Sequence, residues 1–188
     1  MPEALASQSA RVIGSVACCA LTDMRWAEGK AIMHGGRIED IWSAANRDAA
    51  LAIAIDVFGA DGSKMMTQTG GTPLPPADMA LLTNPDWLMS LVGSLREMFA
   101  QGVAGYTDDR LADGPGWGTF DVAAIRCPVT VLHGGSDTIV PVAHAHHTAK
   151  IVPGAKLRIV GELGHFSIAA EVVGAVRELL SGGAQPSR

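Results

Sequence analysis

From Cys127 onward the chain alternates strand, helix, strand, helix, and that order restricts the fold more than any other feature. Pro128 to Leu132 is a short apolar run rich in β-branched residues. Pro141 to Ile151 has a proline at its start and reads as a helix. Lys156 to Val160 is a second strand, and Ile168 to Leu180 carries Ile168, Val172, Val173, Val176, Leu179 and Leu180 at helical spacing. Strands joined by helices run parallel, with right-handed crossovers. A further apolar run, Arg11 to Ala20, predicts a third strand buried on both faces. The expected class is therefore α/β, with about three parallel strands and flanking helices.

Between the first strand and the second the pattern changes from continuous apolar runs to helical spacing. Ile38 to Phe58 places Ile38, Ile41, Trp42, Ala45, Leu51, Ile55 and Phe58 on one face of a predicted helix. Gly59 to Pro76 is rich in Gly, Thr and Pro and reads as a loop. Pro85 to Gln101 is predicted as a second amphipathic helix, with Asn84 as its cap and Pro85 at the first helical position. Its apolar face holds Leu88, Leu91, Val92, Leu95, Met98 and Phe99. From Met24 to about Ala112 the chain reads as helices, and Gly105 to Asp121 is a second punctuated stretch centred on Gly114-Pro115-Gly116-Trp117-Gly118. Three regions follow: 1–23 with the first strand, 24–112 as a helical block, and 113–188 as the C-terminal α/β segment. Met1 to Ser9 reads as a helix remnant or loop, and Ser181 to Arg188 should fray.

Composition narrows the partners. The chain has 188 residues, 48% of them hydrophobic and 18% charged, with a formal net charge of −5. That is a globular composition, and no run or stripe of Lys and Arg offers a nucleic-acid surface. Small molecules are the expected partners. No apolar run reaches the ~18 residues of a membrane span. Val12 to Leu21 could pass for the apolar stretch of a signal peptide, but it lacks a basic start and a small-residue cleavage site. Cys18, Cys19 and Cys127 are the only cysteines, and none has zinc-finger spacing. Reduced thiols in a cytoplasmic protein are the expectation. No organic cofactor or metal is implied. His144, His146 and His147 cluster at a helix start, and 144 and 147 share a face. No carboxylate or cysteine partner stands near them in sequence, so they do not make a metal site.

Two residues carry candidate chemistry. Asp137 follows the strand Pro128 to Leu132 in Leu-His-Gly-Gly-Ser-Asp. His165 follows the next strand in Gly-Glu-Leu-Gly-His-Phe-Ser, 28 residues later. An acid at the end of one strand and a histidine past the next are two parts of a Ser-His-Asp device. Asp137 would fix the ring's tautomer and stabilise the imidazolium, and His165 would move the proton as general base. A solvated turn aspartate and a surface loop histidine are the plain alternatives.

Cys127 to Ser167 resembles the C-terminal portion of the α/β-hydrolase superfamily. The resemblance rests on His133-Gly134-x-x-Asp137, Val140-Pro141, Pro153-Gly154-Ala155 and Gly164-His165 in that order. Gly105 to Ala112 with Trp117 to Asp121 looks like the approach to the penultimate strand in a subset of the superfamily. The resemblance implies a partial hydrolase fold, with residues 24–112 as the inserted helical cap. Met1 to Leu5 resembles the turn that ends the helix after the nucleophile. The chain is therefore expected to start downstream of the Gly-x-Ser-x-Gly elbow and to lack that segment and both oxyanion donors. The tryptophans and methionines of the block would suit an apolar substrate, though any one of them is more simply core. Asp108 and Asp109 are adjacent and point apart, so they are expected to serve a loop or cap.

No good nucleophile is visible. Ser15 lies mid-strand without a second glycine, and Ser136 reads as a turn residue. Cys18, between Val16 and Ala20, meets the small-residue requirement only in part and is the weak candidate. The resemblance thus implies ester or related bond hydrolysis by the parent fold, with this chain inactive alone. A non-catalytic binding or assembly protein and a complete enzyme using Cys18 are the alternatives. An exposed sheet edge would favour a homodimer.

Overall fold

The computed structural model describes residues 6–8, 11–67 and 73–182. The strands are β1 (Ser15–Cys18), β2 (Val129–Gly134) and β3 (Lys156–Val160). In chain order the α-helices are α1 (Ala27–Ala31), α2 (Arg47–Phe58), α3 (Pro76–Leu82), α4 (Pro85–Met98), α5 (Ala104–Asp113), α6 (Ala143–Ile151) and α7 (Val172–Gly182). The chain divides into two compact units. One holds the described residues up to Thr22, Leu74–Asp78 and those from Gly118 on; the other holds Asp23 to Pro73 and Met79–Trp117.

The first unit is built on a parallel three-stranded sheet in the order β1-β2-β3. Ser15 pairs with Val129 and Cys18 with Leu132; Thr130 pairs with Lys156 and Gly134 with Val160. β2 is central, which is why its sequence is almost continuously apolar. Successive side chains alternate across the sheet. Val129 and Val131 pack on one face with Ala6, Ile125, Ala145 and Val152. Leu132 packs on the other with Cys19, Ile168 and Ala175. Helix α6 lies against β2 and β3, and α7 against β1 and β2. The expected α/β class with about three parallel strands is what the chain adopts.

The second unit is helical, with a core of Ile38, Ile41, Ala50, Ala54, Phe58, Phe99 and Val103. Phe58 and Tyr106 meet edge to face with centroids 5.3 Å apart. The single helix expected over Ile38 to Phe58 is in fact two segments. A 3-10 stretch, Gly36–Ser43, ends at an extended Ala44, and Asn46 then caps α2 by accepting from Ala49 N at 2.9 Å. The asparagine satisfies an orphan amide of the new helix, and this local bond overrides the apolar periodicity.

Helix α5 runs into the glycine-punctuated stretch Gly105 to Asp121 and closes the helical block expected to end near Ala112. It is fixed by burial of Val103 and Thr107, and the Thr107 hydroxyl donates to Val103 O at 2.8 Å. Arg110 lies over the Trp42 ring, 4.4 Å from its centroid. Asp108 takes a bidentate pair from Arg47, so it serves a surface ion pair. Helix α4 begins as expected, with Asn84 accepting from Asp86 N and Trp87 N. Its apolar face is only partly covered: Leu91, Val92 and Leu95 are half-buried and Phe99, just past its end, is buried, while Leu88 is 39% exposed. The loop Gly59 to Pro76 contains a 3-10 turn at Ser63–Thr67, and its part from 68 to 72 lies outside the described residues, as do 1–5, 9–10 and the tail from 183. No helix among the described residues is long and apolar enough to cross a membrane.

Candidate functional site

The C-terminal ends of the three strands bring the candidate residues together. β2 leaves the sheet through Gly134 and Gly135 because the next loop passes too closely for a side chain. A Cβ on Gly134 would lie 2.4 Å from Leu163 O. The two loops are tied by Gly135 N donating to Val160 O at 2.8 Å, Ser136 N to Leu163 O at 3.0 Å and the Ser136 hydroxyl to Gly161 O at 2.8 Å. Ser136 is therefore a loop clamp, in keeping with its reading as a turn residue.

Asp137 sits at the centre, with its side chain fully buried. Its Oδ1 accepts from Ile139 N at 2.8 Å and Val140 N at 2.9 Å, and its Oδ2 accepts from His165 Nδ1 at 2.9 Å. Burial pushes the Asp137 carboxyl up, but the bond from His165 and the Val140 amide outweigh it, and the group is held below the ordinary carboxylate range. A carboxylate only accepts, so the neutral ring of His165 carries its proton on Nδ1 and keeps a lone pair on Nε2. The His165 side chain is 27% exposed, so that lone pair belongs to a ring partly open to solvent.

Beneath this pair lies His133, also buried. Its Nε2 donates to Val140 O at 2.9 Å and stands 3.5 Å from Asp137 Oδ2, while its Nδ1 has no hydrogen-bond partner. Burial drives the His133 pKa down against the opposing pull of Val140 O, which keeps the ring neutral. A histidine inside an apolar strand was the one sequence signal for this buried layer.

Cys18 ends β1, half-buried, and Cys19 follows, buried. Cys19 has φ of 45°, the only positive φ at a non-glycine among the described residues. Its amide still donates to Leu132 O at 2.9 Å, so the sheet holds it there. The two thiols interact side chain to side chain. The Cys18 thiol is lowered by the Cys19 bond and by His165 against the effect of burial, and the Cys19 thiol is raised by Cys18 and by burial. Among the described residues no hydrogen bond joins Cys18 to His165, and Ser15, in β1, has a buried hydroxyl without a partner.

Sequence reasoning missed Asp78. It lies in the first turn of α3 and is completely buried. Its Oδ1 accepts from Ser167 N at 2.8 Å and from the Ser167 hydroxyl at 2.6 Å; its Oδ2 accepts from Phe166 N at 3.3 Å. The Ser167 hydroxyl in turn accepts from Gly164 N at 2.8 Å. The loop that carries His165 is thus pinned on both sides of the histidine. Gly164 is required here, because a Cβ would lie 2.4 Å from Asp78 Oδ2 and from Pro75 Cγ. No local signal betrays this role: an acid in a helix's first turn is ordinary composition.

The histidine cluster is absorbed otherwise. Thr22, fully buried, bonds His147 Nδ1 through its hydroxyl at 2.8 Å, and its amide donates to His144 Nδ1 at 3.5 Å. Trp42, Trp117 and Met24 are core, at 6%, 1% and 1% exposure.

No family model and no curated protein matches the sequence. Solved structures do. An α/β hydrolase, MGS-M2, from a Medee basin deep-sea metagenome library is 16% identical, with a TM-score of 0.50 over 99% of this chain and 62% of its own. The enol-lactonase from Burkholderia xenovorans LB400 gives 0.53 at 16% identity, over 96% and 61%. The esterase RhEst1 from Rhodococcus sp. ECU1013 gives 0.52 at 16%, over 94% and 59%. The chain spans about 60% of the length of these structures. At such identities the likeness bears on fold, not on activity. Over its own length, then, the chain has part of the α/β-hydrolase fold.

Proposed function

We propose that this chain carries the acid and base of a hydrolytic site for esters or related acyl bonds of small, largely apolar molecules. The observation that supports this reading is the Asp137 Oδ2 to His165 Nδ1 bond at 2.9 Å, which leaves Nε2 as the free base. In such a site His165 takes a proton from the nucleophile and returns it to the leaving group, while Asp137 stabilises the imidazolium. Among the described residues no hydroxyl or thiol is hydrogen-bonded to His165, so the nucleophile is unassigned. Loss of the nucleophile alone removes on the order of 10⁶ of turnover in a serine protease. The 188-residue chain by itself is therefore inactive in this reading.

Cys18 supports a second reading, as nucleophile of a complete enzyme. Its thiol is drawn below the ordinary value by Cys19 and His165, and a thiolate is a good acyl acceptor without further activation. Hydrolysis of short p-nitrophenyl esters separates the two. The expected result is no turnover above buffer. Turnover lost in both Asp137→Ala and His165→Ala would reject the inactive chain, and its further loss in Cys18→Ala would establish the thiol.

The same reading includes self-association through β1. Ser15 N and Cys19 N donate to Pro128 O and Leu132 O of the neighbouring chain segment, so the Val16 N–H between them points out of the sheet. An edge that is unpaired among the described residues recruits another strand. Light scattering should give about twice the chain mass of 19.5 kDa, and Val16→Pro, which removes the outward N–H, should give a monomer. A wild-type monomer at micromolar concentration would reject the edge contact.

A further inference from the structure

We propose that Cys19, His133 and Asp137 form a binding site for a thiophilic divalent cation of the zinc class. All three are buried, and one potential ligand atom from each lies within 4.8 Å of the others. They come from the residue after β1, from β2 and from the loop after β2, so the sheet register and the Gly134-Gly135 exit fix their spacing. No other group of three among the described residues converges in this way.

The dimensions fit. A tetrahedral centre with arms of about 2.1 Å to N and O puts those donors roughly 3.4 Å apart. His133 Nε2 and Asp137 Oδ2 are 3.5 Å apart. The donor set selects the ion: one sulfur, one imidazole nitrogen and one carboxylate oxygen suit zinc or cadmium, whereas magnesium and calcium take oxygen alone. Charge also balances. A cation of charge +2 would be met by the Asp137 carboxylate and a Cys19 thiolate, leaving a neutral buried site.

The exchange is complete in atoms. The Cys19 S–H bond breaks, its proton goes to solvent, and an S–metal bond forms. His133 shifts its proton from Nε2 to Nδ1, which has no partner now, and Nε2 exchanges Val140 O for the metal. A water molecule would complete the fourth position. Asp137 Oδ2 is also the acceptor for His165 Nδ1. A bound cation therefore shares the oxygen that orients His165 and draws its electron density away from the ring, so this site and the acid–histidine pair are coupled. The proposal goes beyond the hydrolytic reading and does not depend on it, since binding is measured without turnover.

The test uses the reduced, metal-free 188-residue chain titrated with cadmium, followed by the ultraviolet charge-transfer absorption of the cadmium–thiolate bond. The expected result is saturation at one equivalent per chain. Cys19→Ser should abolish the tight phase, and Asp137→Asn should weaken it about tenfold or more. Separately, one equivalent of zinc added to the wild-type chain should move the ring nitrogen resonances of His165, which reads the proposal without any variant. Absorption undiminished in Cys19→Ser, or His165 resonances unmoved by saturating zinc, would overturn it.

Discussion

Alanine at Asp137 is expected to destabilise the chain by about 3 kcal/mol, while asparagine costs about 1 kcal/mol and yet disables the histidine. The difference follows from which oxygen does what. Oδ1 satisfies the Ile139 and Val140 amides, and Oδ2 holds His165. Alanine leaves the Val140 amide buried and unbonded, the costly side of the hydrogen-bond asymmetry. Asparagine keeps the Oδ1 acceptor but presents an N–H₂ where Oδ2 stood. His165 must then face it with an unprotonated Nδ1 and carry its proton on Nε2, the wrong tautomer for a base. Urea melts give the two stabilities, and ¹⁵N shifts of the ring nitrogens give the tautomer. An Asp137→Ala chain within 0.5 kcal/mol of wild type, the ordinary range for surface changes, would show that the loop does not rely on the carboxylate.

Asp78→Ala should cost about 4 kcal/mol and loosen the histidine loop. Three donors, from Ser167 N, Ser167 Oγ and Phe166 N, lose their acceptor in a place where the lost carboxylate was wholly out of water. Ser167→Ala alone should cost about 1.5 kcal/mol, because it removes the relay from Gly164 N to Asp78. The two substitutions share one network, so the double variant should be less damaging than their sum by more than about 0.5 kcal/mol. Amide exchange at Gly164 to Ser167 should rise toward that of an open loop in Asp78→Ala. Additive effects together with unchanged exchange would mean that Asp78 is an ordinary buried residue and not the anchor of this loop.

Why the acid and the histidine could be read in advance, and their anchor could not, is a matter of sequence distance. Asp137 and His165 each follow a strand with glycines beside it, so the requirement for a tight exit is written locally. Asp78 and Ser167 meet across a separation of 89 residues, and each looks ordinary where it stands. Cys18 was legible as a weak nucleophile candidate and Cys19 only as a reduced thiol. The convergence of Cys19 with His133 and Asp137 depends on how β1 registers against β2, with Cys18 beside Leu132.

The helical unit shows the opposite imbalance. Periodicity located α4 and the core residues Ile38, Ile41 and Phe58, but not the break at Ala44, which a single Asn46 side chain decides by capping α2. Helix α5 lies within the block read as helical, yet it runs through Gly105, with Val103 and Thr107 buried beside it. Here tertiary packing overrode a weak local preference.

Alternation and glycine placement in the sequence determined by themselves that the chain builds a parallel sheet and that an acid and a histidine leave its strands on adjacent loops. Tertiary structure alone decided how these groups are held and charged. The carboxylate of Asp137 is kept ionised by donors from two loops, the histidine loop is pinned by a buried Asp78, and a thiol and a second imidazole are brought under the same carboxylate. Hydrogen bonds and burial act between groups that are close in space, and a linear pattern encodes only those that are also close along the chain.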